Sequence, residues 1–348
     1  MKTYERHIAL IEGRSEYYNP WQYRMLCPMI IEGFKWIYDN SVDKIYPIEE
    51  KINFQFTETS EPTPETREFI QLLQTKGAVK YMFVFLFFRF LLNFSVILLA
   101  FFLWRFFIKN EWLIFFGLMF ISLAMGNAVI ASDLTFNTYL DNIFYLFAAC
   151  IIVYKKDPKL LIPVIFFAAL NRETSMMIPF LYFISKTDFS AFKIRMFNLR
   201  SIRFPQPSIW FFTAILYVIF FALFSGIRLY YGYQPPQDWK VPSGLQMLKL
   251  NLFSSVGVKS YFEMLGVFSV IPLLILYKFK SFPLLLRVWF LGIVPAWFFV
   301  HLFTVVTYQT RLFLVPTILI FMPMLLWMIE KESKRSNPKD LSHTMETS

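Results

Sequence analysis

Leu160-Leu-Ile-Pro-Val-Ile-Phe-Phe-Ala-Ala-Leu-Asn-Arg-Glu-Thr-Ser-Met-Met-Ile-Pro-Phe-Leu-Tyr-Phe183 is an apolar run broken at its centre by Asn171, Arg172, Glu173 and Thr174. Each apolar arm is about half the length that a helix of 1.5 Å rise needs to cross a hydrocarbon core. Charges at that depth are costly, so they face a bundle interior or a wet cavity and tend to mark a site. The segment therefore reads as one kinked helix or as a hairpin, and the charge around it decides between the two.

Basic residues gather at Arg105/Lys109, at Lys155/Lys156/Lys159, from Lys186 to Arg203, at Lys278/Lys280/Arg287 and at Lys331/Lys334/Arg335. Loops rich in Lys and Arg stay cytoplasmic. Both flanks of residues 160–185 then lie on one side, which predicts a re-entrant hairpin with Arg172 and Glu173 at its apex. Non-helical backbone survives at such depth only where protein buries it or it lines a cavity.

The rest of the chain agrees in class. Hydrophobic residues make up 57% and charged residues 17% of the 348, which predicts an all-α polytopic membrane protein. Runs at 81–107, 112–131, 138–154, 208–228, 261–277, 283–305 and 312–329 predict about seven spanning helices beside the hairpin, each near the length that a bilayer core requires.

Three regions follow: an extracytoplasmic or interfacial N-terminal segment (1–78), a transmembrane helical domain (79–330) and a disordered cytoplasmic tail (331–348). The N-terminal segment carries Pro20, Pro28, Pro47, Pro62 and Pro64, an amphipathic stretch from Met29 to Tyr38, and acidic residues from Glu49 to Glu65. Nothing before Tyr81 resembles a signal peptide or a span, although the topology asks for this segment outside. An upstream first helix is the expected resolution.

Several function classes receive no support. The net charge of +10 follows from the loop asymmetry and suits anionic lipid headgroups, with no nucleic-acid motif beside it. No P-loop or dinucleotide fingerprint is present. His7, His301 and His343 have no spacing of a transition-metal site, and Cys27 and Cys150 read as free thiols. A divalent cation at Asp133 would need several oxygen ligands that the sequence does not assemble, so neither cofactor nor metal is assigned.

Three motifs fall on the outer side. Asn19-Pro-Trp-Gln-Tyr-Arg-Met-Leu-Cys-Pro28 brackets Tyr23 and Arg24 between prolines. Ser132-Asp133, with Asn137 and Asp141, lies at the mouth between two spans. Tyr308-Gln-Thr-Arg-Leu-Phe-Leu314 places Arg311 at the start of the last helix, against the dipole unless an anion compensates for it. Glu12 and Glu16 complete the polar set. Arginine offers a planar fork matched to phosphate oxygens, and a nearby carboxylate could deprotonate a hydroxyl. A lipid-linked phosphate fits both, because its headgroup sits at the interface while its chain stays in the bilayer.

The Asn19–Pro28 motif, then Asn171-Arg-Glu-Thr174 after an apolar arm, then Arg311-Leu-Phe-Leu314 at the final helix, resembles bacterial members of the GT-C glycosyltransferase superfamily. The resemblance implies an integral enzyme of the bacterial inner (plasma) membrane whose site faces the periplasm or exterior. It would move a sugar from a polyprenyl-phosphate donor to a hydroxyl of a glycan, lipid or protein acceptor. On that reading Arg24, Asn171, Arg172, Arg311 and Tyr23 bind substrate, Glu16 or Asp133 is the base, and Glu173 orients Arg172. GT-C enzymes usually carry an acidic residue in the first outer loop, soon after their first helix; here Glu12 and Glu16 are the early candidates, and no Asp-Asp or Asp-X-Asp pair follows them. Two alternatives stay open: an O-antigen polymerase or ligase, and a non-enzymatic transporter of lipid-linked sugars. The transporter would often show paired broken helices, whereas the sequence displays one break.

Overall fold

The computed structural model describes residues 2–13, 21–51, 64–75, 77–131, 135–189, 202–232 and 243–336. Among them the regular elements are helical, and the one strand-like feature is an isolated bridge between Asp188 and Arg203. Five helices are long and apolar enough to cross a membrane, six if a bent pair counts as one. The chain thus has the build of an integral membrane protein.

Helices α1 (Lys2–Ile11) and α2 (Leu26–Asn40), the short α3 (Val42–Ile45) and α4 (Ile48–Lys51), and α5 (Pro64–Gln74) precede the long helices. They gather at the N-terminal end of α6 (Ala78–Phe107), whose first turn buries Ala78, Val79 and Tyr81. At 30 residues α6 is about 45 Å long, more than a hydrocarbon core of about 30 Å requires. Phe83, Leu86, Phe87, Phe90, Phe94 and Phe102 form an exposed stripe along it. An apolar stripe of that extent suits lipid better than water.

The turn after α6 is closed by capping. The Asn110 side chain accepts from the N–H groups of Trp112 and Leu113 at 3.0 and 3.3 Å, opening α7 (Glu111–Ala131). The buried Glu330 carboxylate accepts from the N–H groups of Lys109 and Asn110. An anion at a helix N-terminus meets both the unpaired donors and the dipole. Helix α8 (Thr135–Val153) then runs back, and Tyr154 Oη donates to Phe102 O at 2.7 Å near the C-terminal end of α6.

The chain next reverses twice. Helix α9 (Leu161–Asn171) leaves that far end and stops at Arg172, whose backbone is extended (φ −160°, ψ 149°). A 3-10 turn, Glu173–Met176, leads into α10 (Met177–Lys186). Pro179 lies in the first turn of α10, where proline is tolerated, and its ring keeps the turn through Ser175 from being α-helical. Helix α10 returns to the far end, where Ser185 Oγ accepts from Trp289 Nε1 at 2.7 Å and the Trp289 ring lies 6.5 Å from that of Phe107. Both ends of the broken segment therefore share one end of the bundle, as a hairpin requires.

Helices α11 (Pro207–Tyr231), α12 (Leu245–Phe253), α13 (Ser255–Phe268), α14 (Ile271–Tyr277) and α15 (Leu284–Thr304) follow. The span expected at 261–277 is a bent pair, in which α13 and α14 meet at 65°. Ser269 adopts φ +50° between them, and Pro272 in the first turn of α14 starts a new helix while ending the old one.

The last span is a composite of a 3-10 turn (Thr310–Phe313), α16 (Leu314–Pro316), a π-turn (Thr317–Phe321) and α17 (Met322–Ser336). Trp104 Nε1 donates to Ile318 O inside the π-turn at 2.9 Å, tying this span to α6. The tail also needs correction, since α17 carries residues 331–336 as helix. Glu330–Lys334 and Glu332–Arg335 pairs lie along that turn, and Lys278 reaches Glu332 at 3.2 Å from outside it. Residues 337–348 lie outside the described residues.

Candidate functional site

The site is built where the hairpin apex meets the N-terminal end of the bundle. Three segments supply it: the stretch before α2, the first turns of α8, and the last turn of α11. Asn171 closes α9 and donates from Nδ2 to Asn137 O at 2.9 Å, pinning the apex to α8, while Cys27 Sγ approaches Asn171 Oδ1 at 3.8 Å. Burial pushes the Cys27 thiol well above its ordinary range.

Because Arg172 is extended, successive side chains leave the backbone on opposite sides. Arg172 turns toward α8, where Nη1 lies 3.6 Å from Asp141 Oδ2 and donates to Thr138 Oγ1 at 3.4 Å. Thr174 Oγ1 donates to the same Asp141 oxygen at 2.7 Å, and Tyr145 Oη donates to Thr174 O at 2.5 Å. Asp141 is fully buried and Arg172 nearly so. A buried ion pair of this kind holds its geometry only while both partners remain.

Glu173 turns the other way. Arg24 Nη2 donates to its Oε2 at 2.9 Å, and Arg228 Nη2 lies 3.5 Å from its Oε1. Arg228 also covers the Tyr23 ring at 4.6 Å and the Phe224 ring at 3.4 Å. Tyr23 Oη donates to Gly232 O at 3.0 Å, where α11 ends on a positive φ of 72° that glycine adopts without strain. The expected orientation of Arg172 by Glu173 is thus corrected: Asp141 holds Arg172, and Glu173 joins Arg24 to Arg228.

The cluster holds three guanidiniums, Arg24, Arg172 and Arg228, against two carboxylates, Asp141 and Glu173. Among the described residues that leaves one positive charge in excess. Among the described residues Arg24 Nε, Arg172 Nε, Asp141 Oδ1 and Asn137 Oδ1 are buried without hydrogen-bond partners, so those residues do not use up the polar capacity of the cluster. Arg24 lines two adjoining cavities. One of about 50 Å³ includes Arg6, His7 and Asn137, and one of about 250 Å³ includes Gln22, Glu32 and Tyr231.

Of the residues singled out in the sequence, the structure brings Tyr23, Arg24, Asn171, Arg172 and Glu173 together. Arg311 is buried in the turn that opens the last span and donates to Gln309 Oε1 at 2.9 Å. Glu16 and Asp133 lie outside the described residues. Arg228 and the pairing role of Asp141 were missed, although an arginine in the last turn of an apolar helix is itself a signal of a polar interior. No group of three or more His, Cys, Asp or Glu side chains among the described residues could hold a metal ion.

Chemically, the arrangement can bind an anion. Preorganised guanidiniums in a partly dry setting stabilise negative charge strongly. Comparison with family models, with curated proteins and with solved structures returns no match.

Proposed function

We propose that the chain is a GT-C-like glycosyltransferase that takes a sugar from a polyprenyl-phosphate donor and passes it to an acceptor hydroxyl of a glycan, lipid or protein. The observation that carries this reading is the convergence of Arg24, Arg172 and Arg228 from three distant segments onto two carboxylates at the apex of a hairpin. A lipid phosphate offers the oxygens those forks match.

In this proposal the bundle makes seven crossings of the bacterial inner membrane, with α7 and the bent pair α13–α14 counted among them. The hairpin re-enters from the cytoplasmic side, and residues 1–78 roof the site on the periplasmic side. The acceptor oxygen attacks the anomeric carbon as its proton passes to a carboxylate, and the bond from that carbon to the phosphate oxygen breaks. Glu16 and Asp133 are the candidate bases. Arg24 and Arg228 leave Glu173 to take the phosphate charge that develops, while Asp141 fixes Arg172.

The test is binding of polyprenyl-phosphate to the purified full chain in nanodiscs. Arg24→Ala and Arg228→Ala should each weaken it by roughly tenfold or more, the usual worth of a charge-assisted hydrogen bond. An intact chain that binds no polyprenyl-phosphate overturns the reading.

One observation favours a second reading. The 65° bend between α13 and α14 is a further broken helix beside the hairpin, and paired breaks are a feature of transporters. Movement of a lipid-linked sugar across sealed vesicles without release of the lipid phosphate would select that reading over transfer.

A further inference from the structure

At the far end of the bundle, away from Arg24, α10 and α15 enclose an apolar groove of about 260 Å³. Phe180 and Ile184 form one wall, Val288 and Leu291 the other. Gly292 sits between them at close approach: a Cβ there would lie 2.6 Å from Ile184 Cδ1 and 3.3 Å from Phe180 Cε1. Packing this tight leaves a narrow slot that suits a flexible hydrocarbon chain.

One charged side chain, Arg287, lines the groove, one turn into α15. Among the described residues its Nε is buried without a hydrogen-bond partner and it enters no ion pair. Buried polar groups are normally satisfied, so this half-buried guanidinium keeps capacity for an acceptor beyond the described residues. Basic residues adjoin the groove lining in sequence, with Lys186 two positions after Ile184, Arg203 next to Ile202 and Lys280 next to Phe279. Lys278 is held by Glu332 at 3.2 Å, Lys186 stands 5.8 Å from the Tyr182 ring, and Arg203 is bridged through its backbone to Asp188.

We propose that this groove seats one acyl chain of an anionic phospholipid and that Arg287 takes its phosphate. A guanidinium binds phosphate oxygens with a planar fork. Basic surroundings at a membrane boundary favour headgroups that carry no compensating ammonium. The apolar lining supplies the second half of the match, since an acyl chain drawn from the bilayer gains van der Waals contact with it. The site is separate from the arginine cluster at the apex, and it stands if the proposed sugar transfer fails.

The test is native mass spectrometry of the purified full chain, titrated with phosphatidylglycerol and phosphatidylcholine of identical acyl chains. The intact chain should retain phosphatidylglycerol preferentially, and Arg287→Gln should remove the preference, with about tenfold weaker retention. Leu291 is 46% exposed, so Leu291→Trp fills the slot without disturbing the core and should weaken both lipids. Equal retention of the two lipids by the intact chain overturns the proposal, as does an unchanged preference in Arg287→Gln. Unchanged retention in Leu291→Trp overturns the seat in the groove. Displacement of the lipid by inorganic phosphate alone would assign Arg287 to a free anion and sink the lipid assignment.

Discussion

Arg172 Nη1 lies 3.6 Å from Asp141 Oδ2, with both side chains buried, although 31 positions separate them in the chain. Desolvation makes such a pair neutral at best, whereas removing one partner strands a buried charge. Arg172→Ala should therefore destabilise the folded chain by roughly 3–5 kcal/mol, read as an earlier thermal transition in detergent. The double change Arg172→Met with Asp141→Leu should recover most of that loss. Equal stability of the single variant and the intact chain would refute a structural contribution from the pair.

Glu173 offers the opposite outcome. Its carboxylate occupies both Arg24 and Arg228, so an incoming phosphate must compete with it. Glu173→Gln removes the competing charge and keeps the shape, and it should raise affinity for a polyprenyl-phosphate by several-fold. Isothermal titration of the two forms in nanodiscs decides it. A fall in affinity would mean that Glu173 holds the arginines in place for the ligand.

The break in the hairpin was legible in the sequence because four polar residues, Asn171 to Thr174, interrupt one apolar run. Five of the expected spans, six with the bent pair, were legible because such helices are apolar almost all round; α6 begins at Ala78 against an expected 81, and α15 covers Leu284–Thr304 against 283–305. The pairing at the apex was not legible. Adjacent residues such as Arg172 and Glu173 suggest a pair, but extended backbone sends them to opposite sides, so each finds partners brought by other helices. The bend at Ser269 escaped for a related reason. Hydropathy is continuous across it, and only Pro272 hinted at a new helix start.

His7 gives the N-terminal segment a pH dependence. It is buried, its Nε2 lies 2.8 Å from Glu32 Oε1, and Tyr81 Oη donates to the same oxygen at 2.8 Å. Burial lowers its pKa below the ordinary value of 6.5, and the opposing pull of Glu32 does not offset that. A histidine lowered in the folded state binds fewer protons than in the unfolded chain, so its contribution is complete above about 6.5 and is lost as the pH falls further. Limited proteolysis should show residues 2–13 more readily cleaved at pH 5.5 than at pH 8. His7→Gln should flatten that difference; an unaltered pH profile in the variant would remove His7 from the explanation.

Gly117 tests how closely α6, α7 and α17 are packed. A Cβ at this position would lie 2.7 Å from Leu326 Cδ1 and 2.8 Å from Trp104 Cζ3. Leu326 can rotate its tip, but Trp104 is fully buried and anchored to Ile318 O in the π-turn, so the strain falls on the indole. Gly117→Ala should cost about 1–3 kcal/mol through overpacking, despite the better helix propensity of alanine. Gly126, also in α7, has nothing within 4 Å of its Cβ direction, and Gly126→Ala should be neutral or stabilising. Thermal unfolding of the two variants side by side separates packing from propensity, and a stabilised Gly117→Ala would show that Trp104 yields.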